Sequence, residues 1–166
     1  MADLLFEIHT EEIPARFMKG LISQFQKTMT DLLVRERLLT KNIKENSVSV
    51  LGTYRRIVLT VKELPASQDD QSLEIKGPPV RVAKDADGNW TKAAEGFCKK
   101  QGVELSLAKI EDEYLVISKF IKGKSTAELI PELLKETLAG MHLPIAMDWG
   151  KKNIQFIRPV HSIIAM

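Results

Sequence analysis

Residues 4–17 constrain the fold more than any other stretch, because they predict a strand that turns directly into a long helix. Three apolar residues alternate with other side chains at the period of a strand with one buried face, namely Leu4, Phe6 and Ile8. Pro14 suits the first position of a helix, where its missing N–H is not needed. The chain therefore has to pack this helix against a sheet that contains its first strand.

The helix is predicted to run from Pro14 to about Leu38. Its apolar residues recur at spacings of three and four, which is the pattern of a helix with one buried stripe: Phe17, Leu21, Phe25, Met29, Leu32 and Leu33. Each large side chain buried in such a stripe contributes roughly 1.5–3 kcal/mol to folding. We interpret these aromatic and methionine positions as core.

Two acidic residues, Glu11 and Glu12, lie between the strand and the helix. The positive end of the helix dipole favours carboxylates at this point, and that accounts for them without a ligand. Paired acids after a strand also occur in catalytic and metal sites. We favour the dipole interpretation.

An antiparallel hairpin is predicted from two alternating segments at 47–51 and 56–62, joined by a turn at 52–54. Arg55 and Arg56 then lie at its tip, where a rigid scaffold could present them to phosphate. The alternative is a solvated hairpin end with local salt bridges.

The middle of the chain predicts shorter elements. A strand at 73–76, suited to a sheet edge, should end at Gly77-Pro78-Pro79, since consecutive prolines cannot donate to a ladder. Residues 85–89 resemble a calcium loop, but Gly96 stands where the required glutamate would be, so we interpret them as a turn.

Two further helices and a second hairpin complete the pattern. Thr91 should cap a helix through Lys100 that ends at Gly102, with Cys98 as a small core residue rather than a nucleophile. Segments at 107–111 and 114–120 predict the hairpin. Ser125 and Glu128 predict a capping box for a helix over 126–139.

These elements predict an α+β fold, with helices packed on a mostly antiparallel sheet. The 166 residues suffice for one domain, or for two subdomains with a boundary near 63–76. The final residues stay apolar to Met166 with no polar stop, from which we expect the chain to be an excised fragment.

Several function classes lack their sequence signatures. No phosphate-binding glycine motif, no Cys-x-x-Cys and no His-Glu-x-x-His is present, so we expect neither catalytic nor metal-ligating residues. The net charge is only +2, so any nucleic-acid contact must come from local patches. One cysteine favours a reducing, cytoplasmic location, and no apolar run approaches the roughly 20 residues of a membrane span.

Five blocks in order carry a family resemblance: LFEIHTEEIP at 5–14, TYRRI at 53–57, KGPP at 76–79, DGNWTKAAEGF at 87–97, and MDWG at 147–150 with FIRPVH at 156–161. They closely resemble the opening part of the β subunit of bacterial glycyl-tRNA synthetases built from separate α and β chains. The sequence departs from the family at His9 and Tyr54, where glycine and proline are usual.

The resemblance implies a part of glycine–tRNA ligase that has no active site of its own. In this family the α chain carries the class II site and uses ATP and Mg²⁺ to activate glycine, so no cofactor is expected here. The implied partners are the α chain, tRNA(Gly) and a second β chain in an α2β2 tetramer, with no membrane.

We expect tRNA backbone contacts from the basic residues that the pattern leaves exposed, because arginine forks and lysines suit phosphate: Arg55, Arg56, Lys76, Arg81, Lys92, Lys99, Lys100, Lys151, Lys152 and Arg158. With few exposed aromatics, shape and backbone recognition is expected more than base stacking. The alternatives are a protein-interaction module that packs on the α chain or on the rest of β without touching RNA, and an independent small-molecule enzyme such as an editing hydrolase.

Overall fold

The structure is a computed structural model that describes residues 2–40, 47–85, 88–143, 145–149 and 154–166. Its elements in chain order are β1 (Ala2–Thr10), α1 (Ala15–Arg35), β2 (Val48–Thr53), β3 (Arg56–Leu64), β4 (Gln71–Pro79), α2 (Val80–Ala83), α3 (Lys92–Gln101), a 3₁₀ turn (Leu105–Leu107), β5 (Ala108–Glu111), β6 (Tyr114–Ile121), α4 (Thr126–Ala139), β7 (Met147–Trp149), β8 (Ile154–Phe156) and β9 (Val160–Ala165).

The chain divides into two compact units. The first unit comprises Met1–Gln68 and Lys124–Met166, and the second unit comprises Asp69–Gly123. The second unit is therefore a continuous insertion in the first.

The first unit is built on an antiparallel sheet of order β2-β3-β1-β9. The alternation predicted for β1 is present, since Leu4, Phe6 and Ile8 are buried while the residues between them are partly exposed. α1 packs these side chains from one face, with Leu21, Phe25 and Met29 among its buried residues. The rings of Phe6 and Phe25 lie 6.1 Å apart, and α4 adds Leu133 and Leu134 to the same core.

The second unit is a three-stranded antiparallel sheet of order β4-β6-β5 with a small core of its own. The core consists of Leu115 and Ile117 from β6, Ala94 and Cys98 from α3, and Ala83 from α2. Cys98 is thus a core residue, as predicted, and burial raises the pKa of its thiol.

The α+β prediction is confirmed, as are both hairpins and the long helices. The helix starts are less well predicted. Ser125 and Thr91 precede α4 and α3 as expected, yet neither makes a side-chain cap. Thr91 Oγ1 instead donates to the carbonyl of Val82 at 2.7 Å. The capping box predicted for Ser125 and Glu128 is wrong, because the Ser125 side chain makes no cap hydrogen bond.

The prediction that the strand at 73–76 ends at Gly77 is wrong, because β4 continues through Pro79. The expected edge position is correct, and it explains why prolines are tolerated: an edge strand need not donate on both sides. A register shift between Lys76 and Pro79 accommodates them. α1 also ends earlier than predicted, at Arg35, and Arg37 has a φ of 58°.

Two strands were not predicted, β7 and β9. β9 uses the apolar end of the chain and pairs with β1, so that Ile163 lies opposite Ile8. Within the described residues no helix is long and apolar enough to cross a membrane.

Candidate nucleic-acid interface

The turn between β1 and α1 is held by backbone hydrogen bonds from two other places in the first unit. The Thr10 and Ile13 N–H groups donate to the carbonyls of Arg55 and Tyr54, at 2.8 and 2.7 Å. The Glu11 N–H donates to the carbonyl of Pro159 at 3.0 Å. These bonds bring the tip of the β2–β3 hairpin and the start of β9 against the turn.

The predicted cations of the first unit meet acidic residues at this turn. Arg55 pairs with the Glu12 carboxylate at 3.3 Å, and Arg158 Nε donates to the Glu12 carbonyl at 3.0 Å. Arg56 pairs with Glu7 on β1. The structure therefore brings Arg55 and Arg158 together around Glu12, but each of these arginines already has a partner within the chain.

The helix-dipole interpretation of Glu11 and Glu12 is wrong. α1 begins at Ala15, and its first turn contains no acidic residue. Glu11 Oε1 instead forms a hydrogen bond of 2.8 Å with Nε2 of His161, and this bond is the main cause of a lowered pKa for the Glu11 carboxyl. The acids serve as partners for cations that are distant in sequence.

The catalytic and metal-site interpretations gain nothing from the geometry. Within the described parts of the chain, no group of three or more His, Cys, Asp and Glu residues could hold a metal ion. At 85–89 the Asp85 carboxylate accepts the Asn89 N–H at 2.8 Å, as in a turn, while residues 86 and 87 lie outside the described residues.

The second unit contains the remaining described candidates. Lys76 Nζ lies 3.6 Å from the Asp112 carboxylate and 5.4 Å from the centroid of the Tyr114 ring. Arg81, in α2, is exposed and lines a depression together with Tyr114. No hydrogen-bond or ion-pair partner for Arg81 is present among the described residues. The structure thus places Lys76 over the Tyr114 ring and Arg81 in the lining of the depression that Tyr114 also lines.

Three lysines of the second unit lie on α3 and are exposed: Lys92, Lys99 and Lys100. Lys92 and Lys99 are seven residues apart, which places them on one side of the helix, two turns from each other. None of the three has an ion-pair partner within the part of the chain that the structure describes. Lys151 and Lys152, also predicted as RNA contacts, lie outside the described residues.

Charge is distributed unevenly around these cations. The second unit has nine basic and ten acidic residues, a net charge of −1, so its candidate contacts are local rather than part of a basic face. Tyr114 is not among the predicted contact residues, although an aromatic residue directly after the acidic turn at 111–113 breaks the expected polarity of a hairpin end. The position of this aromatic residue is the sequence feature from which an exposed ring at the hairpin end could have been predicted.

Comparison with known proteins gives a family match and several similar curated proteins. The family model described as "Glycyl-tRNA synthetase beta subunit" matches residues 4–166. The curated relatives include the glycine–tRNA ligase beta subunits of Bacillus subtilis (40% identical), Syntrophus aciditrophicus (39%) and Syntrophotalea carbinolica (41%), each aligned over 99% of this chain. The chain spans 24% of the length of each of these relatives.

Proposed function

Because the chain belongs to the glycyl-tRNA synthetase beta subunit family, we propose that it works as part of a glycine–tRNA ligase and contacts tRNA without catalysing a step itself. Charging of tRNA with glycine would then use an active site, ATP and Mg²⁺ on a separate α chain, in a cytoplasmic α2β2 assembly. Family membership over residues 4–166 supports the proposal.

The observation that carries the tRNA contact is a set of cations with no acidic partner. Arg81, Lys92, Lys99 and Lys100 are exposed, and none has an ion-pair partner among the described residues. Unpaired cations can replace the counterions of a phosphate backbone without first breaking a salt bridge. By the same criterion, Arg55 and Arg56 are weaker candidates, because the carboxylates of Glu12 and Glu7 already pair with them. Arg158 is engaged differently, since its Nε donates to the backbone carbonyl of Glu12.

The test is kinetic and uses the assembled ligase. Replacing Arg81, Lys92, Lys99 and Lys100 together by alanine should raise the KM for tRNA by about tenfold or more, and it should flatten the dependence of KM on salt. Glycine-dependent ATP–pyrophosphate exchange should not change, because that reaction needs no tRNA. The control is Lys19→Ala with Lys27→Ala on α1, two lysines that are also exposed. A tRNA KM equal to that of this control would overturn the proposed contact.

A protein-interaction module is the second candidate, and one observation favours it. β9 lies at the edge of the first unit's sheet, and it exposes Ile163 (54%) and Ile164 (41%). Edge strands with exposed apolar side chains are pairing sites for other chain segments. If this function holds, Ile163→Lys should abolish copurification with the α chain at every salt concentration, while tRNA affinity stays unchanged in the remaining assembly.

A further inference from the structure

Tyr114 occupies an unusual place for an exposed aromatic residue. It begins β6, the central strand of the second unit's sheet, and 42% of it is exposed. On the opposite face of the strand, Leu115 and Ile117 are fully buried. On the face that carries Tyr114, Val116 is also buried, with 4% exposed, so the tyrosine is an exposed ring at the end of a strand whose next three residues are buried.

Two lysines, one on each strand next to β6, lie on the same face of the sheet as this ring. Lys76 on β4 and Lys109 on β5 both pair with Val116, two residues after Tyr114, so all four side chains belong to one face of the sheet. Lys76 lies over the tyrosine ring, with its Nζ 5.4 Å from the ring centroid. The ring is therefore a stacking surface that is already oriented by a cation.

A depression of about 780 Å³ adjoins the ring and is lined by Pro79, Val80, Arg81, Ile110, Glu113 and Tyr114. The Val80 N–H donates to the carbonyl of Glu113 at 2.8 Å, which holds α2 against the hairpin turn. Arg81, which has no ion-pair partner among the described residues, therefore lines the same depression as Glu113.

These groups match the parts of one nucleotide. An aromatic ring stacks on a base, a guanidinium forks a phosphate, and a carboxylate accepts N–H groups at a base edge. The acidic turn at 111–113 disfavours a long run of phosphates, so the site suits one exposed nucleotide rather than the backbone of a duplex. Base faces inside a duplex are not accessible for stacking.

We propose that the second unit contains a binding site for an unpaired RNA nucleotide, in which Tyr114 stacks on the base and Arg81 holds the phosphate. The site rests on the proposed function, because it specifies how the chain contacts RNA. It departs from the expectation of backbone recognition without stacking.

The test measures binding of fluorescently labelled RNA by the purified chain at low salt, with a single strand of about ten nucleotides and a duplex of the same sequence as probes. The single strand should bind more tightly than the duplex. Tyr114→Ala should weaken single-strand binding about five- to hundred-fold without changing its salt dependence, whereas Tyr114→Phe should retain it. Arg81→Ala should weaken binding and also reduce the salt dependence.

Phe120→Ala is the matched control, since Phe120 lies on the same face of the same strand and is 67% exposed, but does not line the depression. Melting temperatures of all variants should match that of the parent chain. Equal losses for Tyr114→Ala and Phe120→Ala, or a parent chain that does not bind the single strand, would overturn the site. An assembled ligase with Tyr114→Ala and an unchanged KM for tRNA would also overturn the site. The proposed function would still hold in that case if the variant in which alanine replaces Arg81, Lys92, Lys99 and Lys100 loses affinity for tRNA.

Discussion

Gly77 and Gly96 lie near the same aromatic ring and have opposite environments. A Cβ atom on Gly77 of β4 would lie 2.6 Å from Cε1 of Phe97, closer than real Cβ atoms approach other atoms. A Cβ atom on Gly96 of α3 would meet nothing within 4 Å. The ring of Phe97 thus requires glycine on the strand beside it, whereas the glycine in the helix has no such reason.

These environments predict opposite effects of one added methyl group. Gly77→Ala should destabilise the chain by about 1–3 kcal/mol, because the ring or the strand must move. Gly96→Ala should stabilise it by about 0.5–1 kcal/mol, because alanine loses less entropy than glycine in a helix. Urea denaturation followed by circular dichroism measures both, and a Gly77→Ala variant as stable as Gly96→Ala would contradict the packing described.

At the scale of elements, local pattern and long-range pairing differ in how well the sequence predicts them. The alternation of Leu4, Phe6 and Ile8 and the helical spacing of Leu21, Phe25 and Met29 each lie within one element, so they predicted β1 and α1 correctly. β9 was missed, because only its pairing with β1, far away in sequence, makes it a strand.

The candidate site follows the same division. Exposed cations such as Arg81 and Lys92 can be chosen from composition and pattern alone, and their contacts with RNA stay a prediction. The sequence alone does not predict which arginines already have an acidic partner, because Arg55 and Glu12 come together only when the sheet of the first unit has formed. The exposure of Tyr114 likewise depends on the register of three strands.

The bond between Glu11 and His161 ties the β1–α1 turn to β9 and gives this contact a pH dependence. The pKa of the Glu11 carboxyl lies below its ordinary value of 4.5 in the folded chain, so folding favours the ionised form. That stabilisation is fully present above about pH 4.5, and it is lost as the pH falls through the lower pKa of the folded state.

Glu11→Gln should therefore lower the melting temperature by a small amount at pH 7, since an exposed ion pair contributes little. The difference from the parent chain should shrink toward zero as the pH falls below 4.5 and through the lower pKa that the Glu11 carboxyl has in the folded chain. Thermal melts across this range measure it. Asp31→Asn is the control, because Asp31 is exposed on α1 and makes no ion pair among the described residues. A difference that stays constant with pH would contradict the assignment.

At the scale of the whole molecule, the chain leaves the first unit after Gln68 and returns to it at Lys124, and these two residues are hydrogen-bonded to each other. The Gln68 N–H donates to the carbonyl of Lys124 at 2.9 Å, and the Lys124 N–H donates to the side-chain oxygen Oε1 of Gln68 at 3.1 Å. The Thr126 N–H donates to the carbonyl of Ala66 at 2.9 Å. All of these bonds lie within the first unit, so they do not need the insertion itself.

Replacing Asp69–Gly123 with a short glycine linker should consequently leave the first unit folded. Its core includes both α1 and α4, and within the part of the chain that the structure describes it contains no residue of the second unit. Circular dichroism and cooperative thermal unfolding report the result. Deletion of Val160–Ala165 is the comparison, and it should cost more stability because β1 loses one of its two neighbouring strands. An excised chain without cooperative unfolding would show that the first unit depends on the insertion.

The pairing of β1 with β9 also bears on the order in which the two units can fold during synthesis on the ribosome. Phe6 pairs with Ala165, which is synthesised much later than β1. The second unit, Asp69–Gly123, is continuous in sequence, so all of its strands are present once this segment has left the exit tunnel. The inserted unit can thus complete its hydrogen bonds while the first strand is still without its edge neighbour. We therefore expect the inserted unit to finish folding before the amino-terminal strand, the opposite of the usual order in which the amino-terminal part of a protein folds first.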